Sequence, residues 1–283
     1  QYFPFFITAH LLAKPLGFEA DGFSVPYQFA IHFGSLLMCF IGLWYFRKVL
    51  LHFFSESVAS IILIAICLGT NYFNIGFIEG AMTHNWLFSW YSILLYYTIQ
   101  FYNNPRINNA IMIGIAVGIC GLTRPTDILS ALIPILWGFK SFNISSVSSY
   151  IIFIRKNLIK ISIAAITVIC IGIIQPIYWK VVGNEWIIYS YQGQGFSWLR
   201  PHILNYFFSF STGWLVYQPL FFLLLPATFL LIKNKPDGWL ALLIFAIFNT
   251  YVVTAWDYWM YGGRAMIQSY PVLGIVLGVF IQN

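Results

Sequence analysis

The sequence predicts an all-α fold: a polytopic transmembrane helical bundle of about nine spanning helices. Three observations lead there. Sixty per cent of the 283 residues are hydrophobic and only 8% are charged, whereas a soluble domain carries about a quarter charged residues. Apolar runs of spanning length recur along the chain. Lys and Arg, which produce a net charge of +6, sit mostly in short loops between those runs, the pattern that orients membrane proteins. No basic tract with interleaved aromatics occurs, so nucleic acid is excluded as a partner.

The predicted spans are 27–46, 57–75, 86–103, 107–122, 125–142, 158–179, 214–232, 238–256 and 265–282. Each is near the ~20 residues a helix needs to cross ~30 Å of hydrocarbon. Helices are required because every backbone polar group must be satisfied within its own segment. The fifth segment decides the topology. Its uncharged stretch, Ile128–Phe139, reaches spanning length only if Pro125 starts the helix and Lys140 snorkels to the interface. If it crosses, nine cations (Arg47, Lys48, Arg106, Lys140, Arg155, Lys156, Lys160, Lys233, Lys235) share one side and five (Lys14, Arg124, Lys180, Arg200, Arg264) the other. If it does not, the ratio becomes six to eight. The positive-inside rule favours crossing, with the N-terminus outside.

The chain then reads as one transmembrane domain, 1–283. An outer interfacial segment, 1–25, precedes five spans (27–142). A Ser-rich cytoplasmic linker, 143–157, leads to four more (158–283) with a long outer loop, 181–213. A chain that opens at Gln1 without a signal peptide is expected to be a processed chain or an excerpt of a longer one. Cys39, Cys67, Cys120 and Cys170 fall in apolar runs without CxxC spacing and read as packing residues.

Chemistry concentrates in the outer loops, which hold six of the eight acids. In "GLTRPTD", Arg124 and Asp127 flank a helix start at Pro125 that Thr123 can cap. That is either an anion site or a pair that only pins the helix end. In "WDYWMYGGRA", Gly262 and Gly263 permit a tight turn before Arg264, with Asp257 and Tyr258 just upstream. "FIEGAMTHN" offers Glu79 as acid or base and His84 as a phosphate or metal contact, or is simply a solvated loop. One His and one Glu are too few to assign a metal site; a divalent metal is compatible with the chemistry, and no cofactor is assigned. In "YSYQGQGFSWLR", Tyr191 and Gln192 suit stacking on and hydrogen bonding to a sugar, and Arg200 adds a cation. His10, His32, His52 and His202 read as structural. The interiors of the spans carry no Asp, Glu, Lys or Arg, which disfavours an ion-coupled transporter.

Four stretches in order resemble the GT-C superfamily of membrane glycosyltransferases, such as protein O-mannosyltransferases and aminoarabinose transferases. They are "DGFSVPYQFA" with "FRKVLLHFFSESVASIILIAICLGTNYF", then "EGAMTHNWLFSWYSILLYY", "GICGLTRPTDILSALIP" and "WDYWMYGGRAMIQSYP". Together they cover most of the chain. The resemblance implies transfer of a sugar from a polyprenyl-phosphate-linked donor to a lipid, glycan or protein acceptor at the outer face of the plasma (inner) membrane. It implies that Arg124, Arg200 and Arg264 grip the donor phosphate and that Glu79 and His84 assist catalysis. Asp127, Tyr191, Gln192, Asp257 and Tyr258 are the expected substrate contacts. The family's catalytic acid lies early in the first outer loop, and Glu19 and Asp21 fall too late to match it; the base is expected upstream of Gln1. A flippase or transporter, or a polymerase or ligase of lipid-linked saccharides, is the alternative reading.

Overall fold

A computed structural model describes residues 1–189, 191, 193–257 and 261–283, with Tyr261 described by its backbone. The described residues are helical throughout. Their only β pairing is an isolated antiparallel bridge between Phe196 and Trp256. In chain order the helices are α1 (Phe3–Ala13), α2 (Val25–Phe53), α3 (Glu56–Leu68), α4 (Thr83–Asn103), α5 (Ile107–Thr123), α6 (Pro125–Leu136), α7 (Ile144–Lys156), α8 (Leu158–Gly183), α9 (Ile203–Phe208), α10 (Pro219–Asn234) and α11 (Trp239–Ala255). A 3₁₀ stretch, Tyr261–Ser269, runs into α12 (Tyr270–Gln282). Each of the nine predicted spans overlaps one of these helical runs, though 57–75 and 125–142 extend past the helix ends at Leu68 and Leu136, and 214–232 begins before Pro219. Three of them, Val25–Phe53, Leu158–Gly183 and Gly262–Gln282, are long and apolar enough to cross a membrane by length and composition alone.

The 3₁₀ stretches explain how short runs reach across the bundle. α6 opens with seven 3₁₀ residues, Pro125–Ala131. Such residues rise about 2.0 Å each against 1.5 Å in an α-helix, so a run that is short in residues gains reach. Its two ends lie in different company. Arg124 meets His84 and Asp127 at one end of the bundle. Lys140 meets Asp237 at 3.6 Å and its carbonyl accepts from Trp239 at the other. The same division runs through the molecule. Gln1 bonds Thr123 and Tyr2 bonds the Ala81 carbonyl at the first end. Arg47 pairs with Glu56, and Asn234 bonds Asn283, at the second. Loops that the sequence assigned to one face contact one another.

The core is aromatic and close-packed. Phe46 meets Phe88 edge-on at 5.7 Å between ring centroids, and Tyr72 lies 4.2 Å from Phe88. Polar groups inside it are matched. Asn85 donates to Ser35 and accepts from Cys39 Sγ at 2.8 Å and from the Tyr72 hydroxyl at 3.2 Å. Of the free cysteines, Cys39 and Cys120 are buried, Cys67 is half-buried and Cys170 is exposed.

α5 carries small residues at a four-residue spacing, Gly114 and Gly118, and presents them to α8. A methyl group at Gly114 would sit 2.6 Å from the Ala164 carbonyl oxygen and 2.7 Å from Thr167; at Gly118 it would meet Ile171 at 2.9 Å. In lipid, helices have no hydrophobic drive toward each other, so such close backbone approach supplies the packing. Gly118→Leu is therefore expected to lower stability by about 1–3 kcal/mol through overpacking, read as a lower midpoint of thermal unfolding in detergent. A lipid-facing Ile169→Leu control should leave the midpoint unchanged.

Candidate functional site

The site forms where four helix ends meet. Pro125 has no N–H and disfavours helical backbone in the residue before it, so α5 stops at Thr123 and Arg124 is extended (φ −145°, ψ 119°). The chain reverses there and throws the Arg124 side chain onto the rim. Thr123 does not cap α6 as the sequence suggested. Its hydroxyl donates back to the Ile119 carbonyl at 2.6 Å and accepts from Gln1 at 2.9 Å.

Arg124 is held from two sides. Its Nε lies 3.8 Å from Asp127 Oδ2, and Nη1 lies 3.4 Å from His84 Nδ1. Asp127 is only 3% exposed, so it sits beneath Arg124 rather than at a ligand surface. The Tyr91 hydroxyl donates to its Oδ1 at 2.9 Å, and Oδ2 makes no hydrogen bond. A buried carboxylate needs a matching charge, and Arg124 supplies it. The guanidinium carries five N–H donors in a fixed fork; of these, only one at Nη1 is within hydrogen-bond distance of His84, and the approach to Asp127 is an ion pair without a hydrogen bond. The side chain stays 29% exposed, so the fork is seated yet reachable.

His84 precedes the span 86–103 and is buried. Burial, and then Arg124, push its imidazole down to about 3, with a smaller push from Arg264; the Gln268 contact acts the other way. The ring is therefore neutral at any physiological pH, and a base this weak takes no proton near pH 7. Its Nδ1 lies 3.2 Å from Gln268 Oε1 as well as near Arg124. A single ring nitrogen serves one of them: as N–H it donates to Gln268, as a lone pair it accepts from Arg124.

Arg264 is near enough for its charge to act on His84. Gly262 (φ 67°) and Gly263 (φ 61°) are both left-handed, and a Cβ at Gly263 would meet the Trp214 side chain at 2.6 Å. The glycine pair predicted to turn tightly does so. What holds the turn was not legible in the sequence. Asn71 Nδ2 donates to the Gly262 carbonyl at 2.8 Å, and the Tyr206 hydroxyl donates to the Gly263 carbonyl at 3.1 Å. Asn71 is itself fixed: its Oδ1 accepts from Tyr270 at 2.7 Å and its N–H donates to Gln218 at 2.9 Å. Asn71, Gln218 and Gln268 lie inside or beside apolar runs far apart in the chain, and no local motif marks them.

The other expected residues are spread along the same rim. Arg200 is exposed, on a loop that pairs with 254–257 through Ser197 N–H to the Ala255 carbonyl and His202 N–H to the Thr254 carbonyl. No contact among the described residues joins Arg200 to Arg124 or His84. Glu79 is exposed and accepts from Asn74 at 2.7 Å, apart from His84. Asp257 bonds His202, expected to be merely structural, at 3.1 Å. Hydrogen bonds from Ser197 and His202 hold the Asp257 carboxyl below the usual range, so it is ionised at neutral pH. Tyr191 is exposed and packs edge-on against Trp256 at 5.4 Å. Gln192 and Tyr258 lie outside the described residues. Among the described residues no three His, Cys, Asp or Glu side chains gather as metal ligands.

Beside the rim runs an apolar cavity of about 620 Å³, lined by Trp214, Phe221, Leu231, Leu243, Tyr251 and Met266 among others. Met266, on its wall, follows Arg264 by two residues in the chain. Replacing Asn71 with Leu should free the Gly262 carbonyl and cost about 1–3 kcal/mol. It should also weaken anion binding more than Tyr102→Phe, a control at the other end of the bundle; isothermal titration with inorganic pyrophosphate reads the difference.

No protein-family model matches the chain, and no curated protein matches it by sequence. Among solved structures, the crystal structure of ArnT from Cupriavidus metallidurans in the apo state is similar, with a TM-score of 0.58 at 15% identity. The match covers 96% of this chain and 48% of that one, so the chain spans about half the length of the protein it resembles. Nearly every helix described above takes part in this likeness, and the GT-C-like membrane bundle implied by the sequence motifs is the fold of this chain.

Proposed function

We propose that the chain belongs to a membrane glycosyltransferase that moves a sugar from a polyprenyl-phosphate-linked donor to an acceptor at the outer face of the membrane. One observation carries this reading. Two arginines, Arg124 and Arg264, converge on the neutral, buried His84 at one end of an apolar bundle, beside a cavity suited to a hydrocarbon chain. A ligand that suits both is an anion attached to a lipid. The fold shared with ArnT, an aminoarabinose transferase, agrees with it.

The chemistry follows from charge. When a sugar leaves a phosphate, negative charge develops on that phosphate. Arginines already fixed in a low-dielectric site stabilise it without reorganising. Asp127 and Tyr91 seat Arg124; Asn71 and Tyr206 seat the turn that carries Arg264. His84 stays neutral between the two cations and offers them a polar partner without adding to their mutual repulsion. Tyr191, Asp257 and Glu79 stand on the same rim, where they can contact the sugar or the acceptor; Arg200 is an outer cation that helps to draw the anion in.

Arg124→Ala and Arg264→Ala are each expected to slow transfer about 10²–10³-fold, the usual effect of removing one fixed donor to developing charge, with little change in thermal midpoint for Arg264→Ala. Arg200→Ala should mainly weaken binding as salt rises. The measurement is sugar transfer from a purified polyprenyl-phosphate donor by the full-length protein. Normal turnover by both variants at the inner pair would refute the phosphate assignment.

A further inference from the structure

The segment 143–157 was expected to be a Ser-rich linker, but the structure folds it into α7. Asn143 caps it, its Oδ1 accepting from Ser146 N–H at 2.8 Å. α7 has two apolar stripes instead of one. The first rests on the bundle: Phe153 stacks on Tyr102 at 4.7 Å with 12° between the planes, and Tyr150 bonds the Ile135 carbonyl. The second faces away. Ile144, Ile151 and Ile152, spaced seven and eight residues apart from the first, are 89%, 43% and 62% exposed, and Phe142 just before the helix is 78% exposed. Ser148 and Arg155 lie on this same outward face, and Ser145 and Ser149 border it.

Charge singles out what covers the outward stripe. α7 contains no acid and ends in Arg155 and Lys156, both exposed, with Lys160 one turn further on. The two acids at this end of the bundle are already committed, Glu56 to Arg47 and Asp237 to Lys140. The cations of α7 therefore face outward without acidic partners at this end. We propose that α7 is an interfacial anchor, with Ile144, Ile151 and Ile152 dipping into the acyl boundary and Arg155, Lys156 and Lys160 binding anionic phospholipid headgroups. An amphipathic helix of this kind lies in the interface plane, and each Lys or Arg near an anionic leaflet adds about 1 kcal/mol of attraction. This assignment is independent of the transferase reading, because its measure is lipid retention and not turnover.

Native mass spectrometry of the purified full chain, with phosphatidylglycerol and phosphatidylcholine added in equal amounts, tests it. The unaltered protein should retain phosphatidylglycerol preferentially. Arg155→Gln with Lys156→Gln should reduce that preference about fivefold for each cation removed, while the exchange Arg155→Lys with Lys156→Arg keeps it. Arg47→Gln, whose cation is already paired, should leave it intact. Ile151→Ser with Ile152→Ser should weaken retention of both lipids alike. An unchanged preference in the glutamine variant, an equal loss in Arg47→Gln, or capture of a protein by α7 in place of lipid would overturn the proposal.

Discussion

The ion pair between Arg124 and the buried Asp127 is the constraint on which the site depends. A carboxyl group with almost no solvent contact is costly to ionise unless a cation faces it, and Arg124, three positions earlier in the chain, stands 3.8 Å away. The pair can form because Pro125 ends α5 and begins α6, turning the backbone through the reversal that sets Arg124 above Asp127. Tyr91, reaching from α4, fixes the carboxylate at its other oxygen. Three helices are thereby registered at one end by a single charge, and the guanidinium is left with its fork directed along the rim.

From that point the rest of the rim follows. His84 packs against the guanidinium and loses its affinity for protons, so the two nearby cations gain a neutral neighbour. Arg264 follows a turn that only glycine can make cheaply, because Gly262 and Gly263 are left-handed. Asn71, just beyond α3, and Gln218, just before α10, join Tyr206 of α9 and Tyr270 of α12 in tying that turn down. Cationic groups held by this many partners are preorganised.

The bundle separates two kinds of work. One end gathers polar residues, glycines and exposed aromatic rings; the other gathers cations with few acids. Between them lies an apolar core whose polar groups are matched locally, as in the Asn85, Cys39, Tyr72 and Ser35 cluster. The close α5–α8 seam at Gly114 and Gly118 shows how packing without hydrophobic drive is achieved. The cavity at Trp214, Tyr251 and Met266 shows where the apolar packing is incomplete.

The sequence by itself determined the membrane class, the positions of the helical runs and the sorting of loops into two groups, because apolar length and loop charge are local quantities that the bilayer reads directly. It also marked Arg124, Asp127 and the Gly262–Gly263–Arg264 turn, since proline and glycine act on the backbone where they stand. Only the tertiary structure decided that Asp127 is buried beside Arg124, that His84 is buried next to them, and that Arg200 is exposed on the loop that pairs with 254–257. Those outcomes depend on burial and on partners up to 199 residues distant, as between Asn71 and Tyr270. The same reason hid α7. Its serines read locally as linker, and the partners its helix packs on, the Tyr102 ring of α4 and the Ile135 carbonyl of α6, are distant in the chain.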